Sequence, residues 1–95
     1  MPPTPEVLQR AAATLRSEAD AVGTAEAGTA RAFAASRWRG PAARRFRAAL
    51  EEQGRSVATA RHALYALAND LDRNAGDLRR ILLLATVTAS AGGQT

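Results

Sequence analysis

Apolar side chains recur along this chain in steps of four and three, in two stretches that mirror each other about Arg39 and Gly40. The first stretch runs through Leu8, Ala12, Leu15, Ala19, Val22, Glu26, Thr29 and Phe33. The second runs through Phe46, Leu50, Gln53, Val57, Ala60, Leu64, Leu67 and Leu71. Each position of the first pairs with one of the second so that the two numbers sum to 79, as Phe33 does with Phe46, Val22 with Val57 and Leu8 with Leu71. Four-three spacing keeps one face of an α-helix apolar, and its seven-residue repeat is the pattern of helices packed along a shared seam. Two such stretches mirrored about a short connector predict an all-α fold, an antiparallel two-helix hairpin. Every Leu, Val, Ile and Phe between Leu8 and Leu71 lies on these positions. The seam is therefore assigned to Leu8, Leu15, Val22, Phe33, Phe46, Leu50, Val57, Leu64, Leu67 and Leu71.

Local chemistry marks the boundaries. Thr4-Pro5-Glu6 supplies a capping hydroxyl, a proline at the first helical position and an acid near the positive end of the helix dipole. Gly40-Pro41 repeats the device: proline suits the first helical turn and bars the residue before it from helical angles. These signals predict a hairpin over 5–85, with a first helix over about 5–36, a turn at 37–41, a second helix over about 41–85, and flexible termini at 1–4 and 88–95. Glycines at 23, 28, 54 and 76 interrupt the helices, each at a cost of about 0.8–1 kcal/mol relative to alanine. The mirror rule sets Ala25 opposite Gly54 and Gly23 opposite Ser56, a waist of small residues that predicts close approach of helices at mid-length. Beside it, Glu26 and Gln53 form a polar layer expected to fix register.

Composition turns this hairpin into half of something larger. In 95 residues the chain is 46% hydrophobic but only 4% aromatic, with alanine supplying much of the apolar count. Two helices leave one side of each seam wet, so the hairpin is expected to dimerise into a four-helix bundle. Beyond the mirrored region Leu78, Ile81, Leu82, Leu83, Leu84 and Val87 continue the second helix as an apolar overhang. Leu78, Ile81, Leu82 and Leu84 are the expected partner interface; the competing reading is that this overhang folds back on Pro2-Pro3 or frays. The run falls short of the roughly 20 apolar residues that span a bilayer, so no transmembrane segment is expected.

All thirteen basic residues are arginine and the net charge is +4. Six of them, Arg31, Arg37, Arg39, Arg44, Arg45 and Arg47, fall between Ala27 and Leu50, where there is no acid. The hairpin tip is thus electropositive, either a solvated face or a docking surface for an acidic protein or a phosphate backbone. Nucleic acid is disfavoured as a partner because no zinc-finger, helix-turn-helix or basic-zipper pattern accompanies the cluster.

Enzymatic chemistry finds no support in the residues. His62 is the sole histidine and stands without cysteine or paired carboxylates at ligand spacing. Asp70, Asp72 and Asp77 do not share a helical face, lack the glycine of a calcium loop, and are expected to pair with Arg73, Arg79 or Arg80. There is no cysteine, glycine-rich phosphate loop or nucleophile motif. No catalytic residue, metal site or cofactor is expected.

The residues at the turn carry a family resemblance. Trp38-Arg39-Gly40-Pro41-Ala42-Ala43-Arg44-Arg45-Phe46, set between two long helices in a chain of this size, resembles the WXG family of ESAT-like type VII secretion substrates. The resemblance spans about residues 6–80. It implies a non-enzymatic subunit that pairs with itself or a homologous WXG protein in a four-helix dimer. It implies further that the chain is handled by an actinobacterial-type secretion machine, with Trp38, Gly40 and Pro41 forming the recognition turn. The N-terminus has no basic segment or apolar core of a signal peptide, so the expected location is outside the cell without a cleavable leader, or cytoplasmic before export. One family element is unmatched: Tyr65 is followed four positions on by Asn69, not by an acid, and lies well inside the second helix. Either a Tyr-x-x-x-Asp or Glu export signal is then expected on a sister subunit, or the chain is no longer itself an export substrate. The alternative reading is an intracellular helical adaptor or nucleic-acid-binding module that uses the arginine-rich tip.

Overall fold

A computed structural model describes residues 3–92. Two helices, α1 (Pro5–Ala35) and α2 (Pro41–Gly92), pack antiparallel as a helical hairpin, an all-α fold. The molecule is a rod of 83 × 18 × 16 Å, its length set by α2, which at 1.5 Å per residue extends about 78 Å.

Each helix end follows from its sequence. Thr4 is extended (φ −88°, ψ 159°), and its Oγ1 accepts a hydrogen bond from the Val7 N–H at 3.2 Å, with Pro5 opening the helix behind it. At the other end Ser36 turns out to ψ 152°, while its N–H reaches the Ala32 and Phe33 carbonyls and its Oγ donates to Phe33 O at 2.7 Å. Gly40 adopts φ +108°, a backbone conformation that a Cβ disfavours, and its carbonyl accepts the Arg44 N–H at 3.0 Å to start α2. Glycine is required here by geometry, and Pro41 makes the restart rigid.

The expected end of α2 near Ala85 is corrected: the helix continues through residues 86–92, into the terminus at 88–95 that was expected to be flexible. Nothing between Ala85 and Gly92 breaks a helix, and Thr86 turns its hydroxyl back to Leu82 O at 2.9 Å. Thr4, although numbered with the terminus at 1–4, caps α1 as its hydroxyl predicts. Residues 1–2 and 93–95 lie outside the described residues.

The seam is also corrected, on α2. Buried positions are Pro5, Ala12 and Ala19 on α1 and Ala43, Ala68 and Ala75 on α2. Seven-residue steps put Pro5 opposite Ala75, Ala12 opposite Ala68, Ala19 opposite Arg61, Glu26 opposite Gly54 and Phe33 opposite Arg47. Three of these layers are closed by direct contact: Arg61 Nε donates to Ala19 O at 3.0 Å, Glu26 Oε1 lies where a Gly54 side chain would begin, and the Arg47 guanidinium sits 5.6 Å from the Phe33 ring centre. The expected positions Phe46, Gln53, Ala60 and Leu67 stand one residue away and are exposed, Leu67 by 48%. Small residues let the two backbones approach, and the large ones are turned to the flank.

The waist differs from expectation for the same reason. Gly23 does not face a small residue; a Cβ there would meet the Arg61 guanidinium at 2.5 Å. The Glu26 carboxylate fills the space over Gly54, and Gln53 stands exposed on the groove that Glu26 also lines.

Candidate functional site

The central positions divide the hairpin into two unlike faces. Residues four places after them fall on one side: Arg16 on α1, and Tyr65, Asp72 and Arg79 on α2. Here the helices are laced by polar contacts. Arg16 Nη2 donates to Asp72 Oδ2 at 2.5 Å and to Asn69 Oδ1 at 3.0 Å. Tyr65 donates its hydroxyl proton to Asp20 and lies 3.4 Å from Arg61 Nη2, and Arg79 Nη2 reaches Gln9 Oε1 at 2.7 Å with Glu6 at 4.0 Å. Of the three aspartates, Asp70 and Asp77 pair with Arg73 and Arg80 along α2, while Asp72 pairs across the hairpin.

Residues three places after the central positions fall on the other side: Leu15, Val22 and Thr29 on α1, and Val57, Leu64, Leu71 and Leu78 on α2. This face has no comparable closure. Val22, Ala25, Thr29, Leu50, Gln53 and Val57 line an open groove along it, and exposed Phe46 and Leu67 extend its margin. Leu8, Leu15, Phe33, Leu50, Val57, Leu64 and Leu71 are half-buried, and among the described residues no large side chain is fully enclosed. Apolar burial within the single hairpin is thus carried by alanines.

Past the start of α1 the overhang is largely exposed. Ile81, Leu83, Leu84 and Val87 are all more than half exposed, Leu82 is half exposed, and Leu78 is half-buried. The overhang is not wholly without intramolecular neighbours, since Thr4, Pro5 and Glu6 share a shallow cleft with Arg79, Leu82, Leu83 and Thr86. Helical side chains lean toward their own N-termini, so on antiparallel helices they meet at numbers that sum above the backbone register. Among the described residues, no helix is long and apolar enough to cross a membrane.

At the tip, three aromatic rings close a triangle. Phe33 lies 6.1 Å from Trp38, edge to face, and 5.1 Å from Phe46, and Trp38 lies 5.6 Å from Phe46. The Ser36 cap and the φ +108° of Gly40 turn the chain sharply enough for Trp38 to fold over both phenylalanines. Trp38 still shows 48% of its surface to solvent. Arg31, Arg37, Arg39, Arg44, Arg45 and Arg47 are exposed around it, and among the described residues none forms an ion pair. His62 is exposed on α2, and no cluster of three or more potential metal ligands occurs among the described residues.

Sequence reading missed Arg61, Gly54, Ala68 and Ala75 as the inner line of α2. The signal was there as small residues at seven-residue spacing, 54, 68 and 75, in step with Ala12 and Ala19. The chain matches no family model, no curated protein and no solved structure.

Proposed function

We propose that this chain is a WXG-type, non-enzymatic subunit of a type VII secretion system, acting by pairing its open face with a second copy or a homologous WXG protein. The observation that carries the reading is the asymmetry of the hairpin: one face is closed by cross-helix polar contacts, while the other is an open groove beside which Val22 and Leu67 stand exposed and Val57 is only half-buried. A four-helix bundle buries that face and gives the overhang around Ile81 and Leu84 a partner helix to pack on. Trp38 and Gly40 then have separable roles. Gly40 supplies the turn, and Trp38 supplies a half-exposed aromatic surface for the secretion machinery to read.

Tyr65 supports the need for a sister subunit. Its hydroxyl is held by Asp20 within the hairpin, so it is engaged in folding and not offered as a tail signal. The test is export in a host that carries the system: Trp38→Ala abolishes export while helicity is retained. Unchanged export of that variant removes the turn from the signal and overturns this part of the reading.

A further inference from the structure

We propose that the hairpin tip docks end-on to an anionic lipid surface, with Trp38 at the apex and Arg37, Arg39, Arg44, Arg45 and Arg47 around it. The shape is the first argument. The tip is the two-helix end of a rod 18 × 16 Å across, a small footprint suited to end-on contact with a plane.

The chemistry of the apex is the second. Trp38 is held against Phe33 and Phe46 yet keeps half its surface in water, and Phe46 is 42% exposed beside it. An indole with one side on protein and the other on solvent matches the headgroup level of a bilayer, where tryptophan is enriched. Around it the arginines leave from the turn and from successive positions of α2, so they point to several sides and not to one face. Such a ring meets a sheet of phosphates, whereas duplex recognition calls for a stripe or a helix fitted to a groove. Among the described residues no carboxylate pairs with these guanidinium groups, and no acid occurs between Ala27 and Leu50; Arg47 stacks on Phe33, while Arg37, Arg39, Arg44 and Arg45 remain available.

This inference goes beyond pairing and export, and it stands or falls separately from them. It describes attachment to a surface and not insertion across it, which agrees with the absence of a spanning helix among the described residues.

The test uses the full chain and vesicles of phosphatidylglycerol mixed with phosphatidylcholine, against vesicles of phosphatidylcholine alone. Trp38 is the only tryptophan, so its emission reports the tip directly. Docking predicts a blue shift and co-sedimentation with the anionic vesicles only, both reversed by salt as the Debye length shrinks. Each basic residue at an anionic surface contributes about fivefold in affinity, so Arg39→Ala/Arg44→Ala/Arg45→Ala together lose on the order of a hundredfold. Circular dichroism checks that the variant keeps its helices, and the salt dependence of the unaltered chain provides a readout independent of any variant. Four results overturn the proposal: no blue shift with anionic vesicles at low salt, equal binding to neutral vesicles, binding that survives the triple substitution, or retardation of duplex DNA without vesicle binding. Salt-insensitive binding with unchanged Trp38 emission also overturns it, by assigning attachment to the apolar end of α2.

Discussion

The Arg61 guanidinium lies over Gly23, in the space a side chain there would occupy, and donates from Nε to the carbonyl oxygen of Ala19 at 3.0 Å. One long side chain of α2 thus fills the gap that a glycine leaves in α1. The same head group reaches Tyr65, whose hydroxyl continues to Asp20.

That relationship separates two glycines of similar helical setting. Gly76 has open space around it, so Gly76→Ala stabilises the chain by about 0.8–1 kcal/mol through helix propensity alone. Gly23→Ala has to displace Arg61 and forfeits a hydrogen bond worth about 0.5–1.5 kcal/mol, which cancels the gain. In an Arg61→Ala background Gly23→Ala recovers its stabilising effect, and urea midpoints of the four proteins measure the coupling.

Gly40→Ala acts through the backbone. A residue with a Cβ at φ +108° carries strain of about 1–3 kcal/mol, so the urea midpoint falls. Because Trp38 rides on this turn, its fluorescence changes with the same substitution, while Gly76→Ala leaves it unaltered.

The Arg16–Asp72 pair is a weak staple despite its 2.5 Å separation. Both side chains are about two-fifths exposed, so Asp72→Ala costs about 0.2–1 kcal/mol and the cost shrinks as salt is added. Thermal melts at low and high ionic strength check it.

Much of the hairpin was legible because capping and turn chemistry are local. Thr4-Pro5 and Gly40-Pro41 start helices through their own local groups, and Phe33 against Phe46 follows from the mirror. The inner line of α2 was less legible because periodicity weights large residues, whereas closest approach selects small ones. Leu67 and Gln53 therefore read as seam while Ala68 and Gly54 occupy it. The same displacement hid the site: the stripe that looked like an intramolecular core is largely the open face.

That face makes a directional prediction. Leu67→Asp removes an apolar group whose burial between copies is worth about 1.5–3 kcal/mol, raising the dimer dissociation constant by one to two orders of magnitude. Asn69→Ala, on the laced face, leaves self-association within a factor of a few. Sedimentation velocity over a concentration series distinguishes the two.

The most direct measurement of the central claim is the solution mass of the purified chain at micromolar concentration, taken with its unfolding transition. The account predicts a folded dimer of twice the 10.0 kDa chain mass, or a poorly folded chain that becomes helical and cooperative only with a homologous partner. A monodisperse 10.0 kDa monomer that unfolds cooperatively, at a midpoint independent of concentration, contradicts it.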